Sequence, residues 1–210
     1  TGGFSCQAFT CTADTDKIAG LYTISVDGRE LRHLIDGVSI TDVAWSPDGS
    51  QIAFLQEGNE VNTNELRVIS ADGSSEARLL IPAETHLNFV RWSPDGRRIA
   101  TVADIDPPGA SDFHQDITLF DLDSDEIIPI FSSDWRVESF DWSPDGQSLA
   151  ASVYIQVGRN ILAEIDAESG EYEVLYQEAN IGGTYSPDGT QVALWRTDLN
   201  VPRWVERIDL

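Results

Sequence analysis

An all-β fold built from repeated four-stranded antiparallel units is what the sequence predicts, and three observations predict it. One five-residue string recurs four times along the 210 residues. Each copy stands between two short apolar runs, the pattern of a hairpin. No stretch carries the 3.6-residue periodicity of an amphipathic helix.

The string reads Trp45-Ser46-Pro47-Asp48-Gly49, then Trp92-Ser93-Pro94-Asp95-Gly96, then Trp142-Ser143-Pro144-Asp145-Gly146. It returns with one aromatic exchanged as Tyr185-Ser186-Pro187-Asp188-Gly189. The period is roughly 40–50 residues, the length of one propeller blade. Before each copy lies an alternating strand, such as residues 40–45. After it lies a second apolar run, such as Ile52-Ala53-Phe54-Leu55 or Ile99-Ala100-Thr101-Val102. The string itself is the turn. Proline presets φ at the first turn position, aspartate can bond back to the backbone, and glycine takes a positive φ. Serine, preceding proline, is held extended and ends the strand.

A second hairpin follows each first one: residues 66–70 with 77–81, 117–121 with 127–131, and 162–166 with 172–176. Each period thus holds four short strands, A to D. A four-stranded blade cannot bury both faces by itself, so blades must pack side by side around an axis. The expected architecture is a single β-propeller segment over 1–210, with repeats near 1–36, 37–82, 83–132, 133–177 and 178–210. About five blades are represented, three complete and two partial, within a larger ring. At the N-terminus, Gln7-Ala8-Phe9 aligns with Ile52-Ala53-Phe54, which places strands B, C and D there; residues 203–210 read as strand C of the last repeat. The first residue is Thr1 and methionine is absent, the mark of a processed chain or a segment of a longer one.

Composition narrows the partners. Formal charge is −23, from 36 acidic and 13 basic residues. Such a surface repels phosphate backbones and anionic membranes, so nucleic acid is not expected, and no apolar run approaches the ~18 residues of a membrane span. An acidic shell serves solubility; a basic protein partner or weak divalent-cation binding is the alternative. Cys6 and Cys11 could close a small disulfide loop in an oxidising compartment, or remain two ordinary thiols.

The string followed by an Ile-Ala-Phe-like strand, carried by residues 45–54, 92–102, 142–153 and 185–194, resembles the TolB-type propeller repeat, a relative of the WD repeat. The resemblance covers nearly the whole chain. It implies the propeller fold, and it implies bacterial proteins of the periplasm, the cell surface or the secreted fraction. Such propellers bind partners, or gate substrate entry in prolyl-oligopeptidase-like serine peptidases.

Repeated residues define the symmetry and are read as structural: Trp45, Asp48, Gly49, Trp92, Asp95, Gly96, Trp142, Asp145, Gly146, Tyr185, Asp188 and Gly189. The aromatics are expected in equivalent positions between blades. No Gly-x-Ser-x-Gly elbow exists, and His33, His86 and His114 fall in three different repeats, so no catalytic residue, cofactor or metal is assigned. Asp121-x-Asp123-x-Asp125 opens like a calcium loop but has Glu126 where glycine is needed and Ser132 where the closing glutamate belongs. The loops carry the binding expectation. The A–B and C–D turns are short and share one face, while the D–A and B–C connections vary on the other. The longest runs from Asp104 to Gln115. Binding of a protein, peptide or small ligand is therefore expected on that face or at the central channel, through His86, Asp104, Asp106, His114, Trp135, Arg136, Arg159 and Arg196.

Overall fold

The computed structural model describes residues 5–7, 10–12, 19–60, 63–83, 86–104, 114–133, 136–156, 159–178, 181–198 and 201–209. Two short hairpins come first: β1 (Ser5–Gln7) with β2 (Thr10–Thr12), and β3 (Gly20–Ile24) with β4 (Leu31–Asp36). A four-stranded sheet follows, β5 (Ile40–Trp45), β6 (Gln51–Glu57), β7 (Asn64–Ser70) and β8 (Arg78–Ile81). The next is β9 (Leu87–Trp92), β10 (Arg98–Asp104), β11 (Gln115–Asp121) and β12 (Ile127–Ser133). A third is β13 (Arg136–Trp142), β14 (Ser148–Gln156), β15 (Arg159–Asp166) and β16 (Tyr172–Glu178). The last sheet has three strands, β17 (Ile181–Tyr185), β18 (Gln191–Asp198) and β19 (Val201–Asp209). Every pairing is antiparallel between sequence neighbours. This is a propeller segment with three complete blades, here blades 2 to 4, flanked by partial blades 1 (β3–β4) and 5 (β17–β19).

The expected strand B of the first blade is corrected. β1 pairs with β2, setting Cys6 directly opposite Cys11, and not with β3. Local pairing closes the shorter loop and costs less chain entropy. Ala8 and Phe9 lie outside the described residues.

The core is a series of layers between blades, and period-2 alternation builds it. In β6, Ile52 and Phe54 join Leu21 of blade 1, while Ala53 and Leu55 join Val90, Trp92 and Ile99 of blade 3. In β10, Ala100 and Val102 turn the other way, to Phe140, Trp142 and Leu149 of blade 4. Blade 4 repeats the arrangement, with Ala150 and Leu162 against Val192 and Leu194 of blade 5. Each central strand therefore has two buried faces, the reason its sequence reads as a continuous apolar run and not as an alternation.

Each repeated turn is closed by one bond set. The amide of Gly49, Gly96, Gly146 or Gly189 donates to the carbonyl of the serine three residues back at 2.9 Å, and all four glycines have φ of 71–74°. The serine hydroxyl donates to Oδ1 of the turn aspartate at 2.6–2.7 Å. The same oxygen accepts the amide two residues after that aspartate. Serine therefore does more than end the strand.

The repeated aromatics differ in what covers them. Trp92 and Trp142 are 8% and 5% exposed, and each indole N–H donates into the preceding blade, to Ala44 O at 3.1 Å and Arg91 O at 3.3 Å. Trp45 is 53% exposed. Among the described residues, blade 1 has no strand A, so neither the covering surface nor the accepting carbonyl is there. Tyr185 is half-buried and instead donates its hydroxyl to Glu164 Oε1 at 2.8 Å.

Candidate functional site

Strand A of blade 3 departs from its neighbours. Between the pairs Asn88–Val102 and Val90–Thr101 one residue, Phe89, is left over as a bulge. Its φ is 58°, a left-handed conformation costing a bulky residue about 1–3 kcal/mol. Blades 2 and 4 also carry an extra residue in strand A, Thr41 and Glu138, but one position further from the aromatic and without the positive φ. Neighbouring groups hold the bulge. The Val90 amide donates to Asp42 Oδ2 of blade 2 at 2.9 Å, and Thr101 Oγ1 donates to Asn88 O at 3.1 Å. The Phe89 ring meets Phe140 of blade 4 edge-on, with centroids 6.2 Å apart.

Beside the bulge a cavity of about 380 Å³ opens where the B–C connection of blade 3 meets the D–A connections that enter blades 3 and 4. Phe89 and Val137 supply its apolar wall; His86, Asn88, Asp104 and Gln115 bring polar groups, and Arg136 and Glu138 flank them. Buried Gln115 ties the wall together. Its Nε2 donates to Asp104 Oδ1, and its Oε1 accepts the Val137 amide of the next blade at 2.7 Å. The Asp104 amide donates to His86 O at 2.9 Å, coupling the two connections. Arg136 Nε donates to Glu138 Oε1 at 2.8 Å across the exposed side.

These residues offer both signs of charge, two carboxamides and an aromatic wall. Among the described residues no hydroxyl or thiol lines the cavity, and no three acidic, histidine or cysteine side chains converge to hold a metal ion. The arrangement suits hydrogen-bonded recognition of a polar chain with one apolar group.

Three of the expected residues, His86, Asp104 and Arg136, come together here. His114 precedes Gln115 but is not in the lining, and Arg159 lies exposed at the start of β15 in blade 4. Arg196 is placed in β18 by its backbone. Asp106 and Trp135 lie outside the described residues. Missing from the expectation were Phe89, Asn88, Gln115 and Glu138. Gln115 had a signal: Asn64 and Gln115 open strand C and Asn160 is second in it, and Asn64 likewise reaches the next blade, donating to Leu87 O at 2.7 Å. Phe89 had none, because nothing in Leu87–Trp92 marks a bulge.

The calcium-like run is a hairpin with its carboxylates engaged. Asp121 Oδ1 accepts the amides of Asp123 and Ser124, Asp123 pairs with Arg97 at 2.8 Å, and Asp125 pairs with Arg78 of blade 2.

The family model described as "Eukaryotic translation initiation factor eIF2A" matches residues 12–159, more than half of the chain. The chain is 30% identical over 151 residues to "Uncharacterized peptidase YuxL" of Bacillus subtilis (strain 168), covering 71% of this chain and 20% of that protein. It therefore spans about a fifth of that relative's length. Among solved structures, TolB from Acinetobacter baumannii superposes with a TM-score of 0.66 at 19% identity, covering 90% of this chain and 45% of that one. The β-propeller domain of the Trilobed protease from Pyrococcus furiosus gives 0.70 at 18%, covering 94% and 63%. At these identities the structural likeness establishes the fold.

Proposed function

From the premise that this chain belongs to the eIF2A family, a family of WD-like propellers, and has the TolB-type form, we propose that it is a binding module acting through its long-loop face. The observation that carries this reading is the convergence of His86, Asp104 and Arg136, from three separate connections, on one cavity beside the strained residue Phe89. Strain in an otherwise regular repeat is tolerated where it shapes a site. The occupant is an extended peptide segment of a protein partner. The −23 charge opposes RNA contact, so what the family membership contributes here is the propeller. An extracytoplasmic location goes with this reading, supported by the TolB-type likeness and by Cys6 standing opposite Cys11.

A peptide array probed with the wild-type chain and with Arg136→Ala tests the reading. The variant should lose at least ~2 kcal/mol of affinity for the peptides that bind. Asp72→Ala, on the opposite face, should change nothing. Equal binding by Arg136→Ala and wild type would overturn the site.

The likeness to a peptidase favours a second reading: a substrate-gating propeller domain whose hydrolase domain lies outside this segment. A Gly-x-Ser-x-Gly elbow encoded beside this segment in its gene would decide for that reading; further repeats there would decide for the first.

A further inference from the structure

The turn face carries a second cavity, and comparing two blade junctions shows what it fits. At the junction of blades 3 and 4 the space beside the turn is filled by Arg98. Its Nη2 donates to Gly146 O at 2.8 Å, its Nη1 to Ala167 O at 3.4 Å, and its guanidinium carbon lies 5.2 Å from the Trp142 ring centroid. At the junction of blades 4 and 5 the residue in the place of Arg98, two after the turn glycine, is Ser148. Tyr185 stands where Trp142 stood and Gly189 where Gly146 stood. The stacking of the two turns is the same: a Cβ built on Gly146 would lie 3.5 Å from Pro94 Cδ, and one on Gly189 would lie 3.5 Å from Pro144 Cδ.

With arginine replaced by serine, a cavity of about 360 Å³ remains, lined by Ser148, Tyr185, Gly189, Asp145, Asp188 and Glu164 among others. A second exchange accompanies the first. Leu119, paired with Ala100 in blade 3, becomes Glu164, paired with Ala150 in blade 4. The built-in cation is thus lost and a carboxylate gained, while an aromatic ring and the turn glycine are kept; the counterpart of Ala167, Leu210, lies outside the described residues. The Tyr185 hydroxyl donates to Glu164 Oε1. Burial, then the Glu164 contact, push the Tyr185 phenol above its ordinary range, so it remains a neutral donor.

We propose that this slot takes an arginine side chain from a partner protein or peptide, whose guanidinium lies over Tyr185 as Arg98 lies over Trp142 and, unlike Arg98, pairs with a carboxylate, Glu164. A planar fork suits a stacked site with a carboxylate beside it, where a compact ammonium does not. A metal ion is a poor occupant: Asp145 and Asp188 are engaged by their own turns, and among the described residues the three carboxylates are not grouped as a metal site. The slot lies on the face opposite the long-loop cavity, so it stands or falls independently of that site.

The test is an amide-resolved NMR titration of the whole chain with N-acetyl-arginine amide, its lysine counterpart and its uncharged citrulline counterpart. Arginine amide should shift the Ser148, Tyr185 and Gly189 resonances in the millimolar range, lysine amide should bind about five-fold more weakly, and citrulline amide should not bind. Glu164→Gln should weaken arginine binding about ten-fold. Ser148→Arg should supply the guanidinium from within the chain and abolish binding while the protein stays folded. Equal shifts from arginine and citrulline, shifts confined to other residues, or full binding by folded Ser148→Arg would each overturn the proposal.

Discussion

At the scale of single residues, glycine in the repeated turn is held by backbone geometry and not by lack of room. Gly96 has φ 74°, and a Cβ there would find its nearest contact, Pro47 Cδ, at an ordinary 3.7 Å. Gly96→Val should therefore cost about 1–3 kcal/mol through the forced left-handed conformation alone. Equal denaturant midpoints for the variant and its parent would refute the assignment. Gly170 combines that strain with a clash, since its Cβ would lie 2.1 Å from Ile130 O. The two positions look alike in sequence and differ in what faces them.

At the scale of elements, blades are joined by side chains that cross from one strand to the next blade's backbone. Arg98 reaches the turn of blade 4, Gln115 the Val137 amide, and Asn64 the Leu87 carbonyl. Arg98→Ala removes two hydrogen bonds and the contact with Trp142, and should destabilise the protein by about 1–2 kcal/mol. Chemical denaturation checks this. Because Arg98 sits on the turn face, peptide binding at the long-loop cavity should be retained by the folded variant. His86, Asp104 and Arg136 could be picked out beforehand because variable connections stand out against a regular repeat. Phe89 could not, because a bulge is settled by how β9 and β10 register; Gln115 stood at the end of the long connection, and only packing shows its carboxamide tied to the next blade.

For the whole molecule, charge and turn chemistry pull stability in opposite directions as pH falls. The −23 charge at pH 7 is self-repelling, and protonating ordinary carboxylates relieves it. The turn aspartates respond later. The Ser46 hydroxyl, then the Ser50 amide, hold Asp48 down at about 2, against 3.8 for the unperturbed group. Asp188 is lowered first by the Ser186 hydroxyl, and Asp145 first by the Gln147 amide. Asp95 is pulled up by burial, but the Ser93 hydroxyl and Arg97 amide outweigh it. A carboxylate depressed in the folded state contributes stability that is complete above its unfolded pKa and is lost as pH falls through the folded one. Melting temperature should therefore hold or rise on acidification toward pH 4, then fall between 3.8 and about 2. Asp48→Asn should make that lower limb shallower, and an unchanged limb would mean that the bonds to Asp48 carry none of it.

The sequence by itself determined the blades, their turns and the number represented, because a turn is decided by residues within five positions of one another. Proline, aspartate, glycine and the serine hydroxyl specify it wherever they occur in that order. Tertiary structure decided what each repeat meets. Trp45 and Trp92 carry the same motif, and Trp92 is buried only because strand A of the preceding blade covers it, a strand that the described residues of blade 1 do not include. The same holds for Ser148, unremarkable in sequence and significant only beside a junction where arginine fills the equivalent space. The contacts that Gln115 and Arg98 make across blade junctions join residues from 22 to 69 positions apart, so a local pattern can announce a blade but cannot say which junctions are filled and which are open.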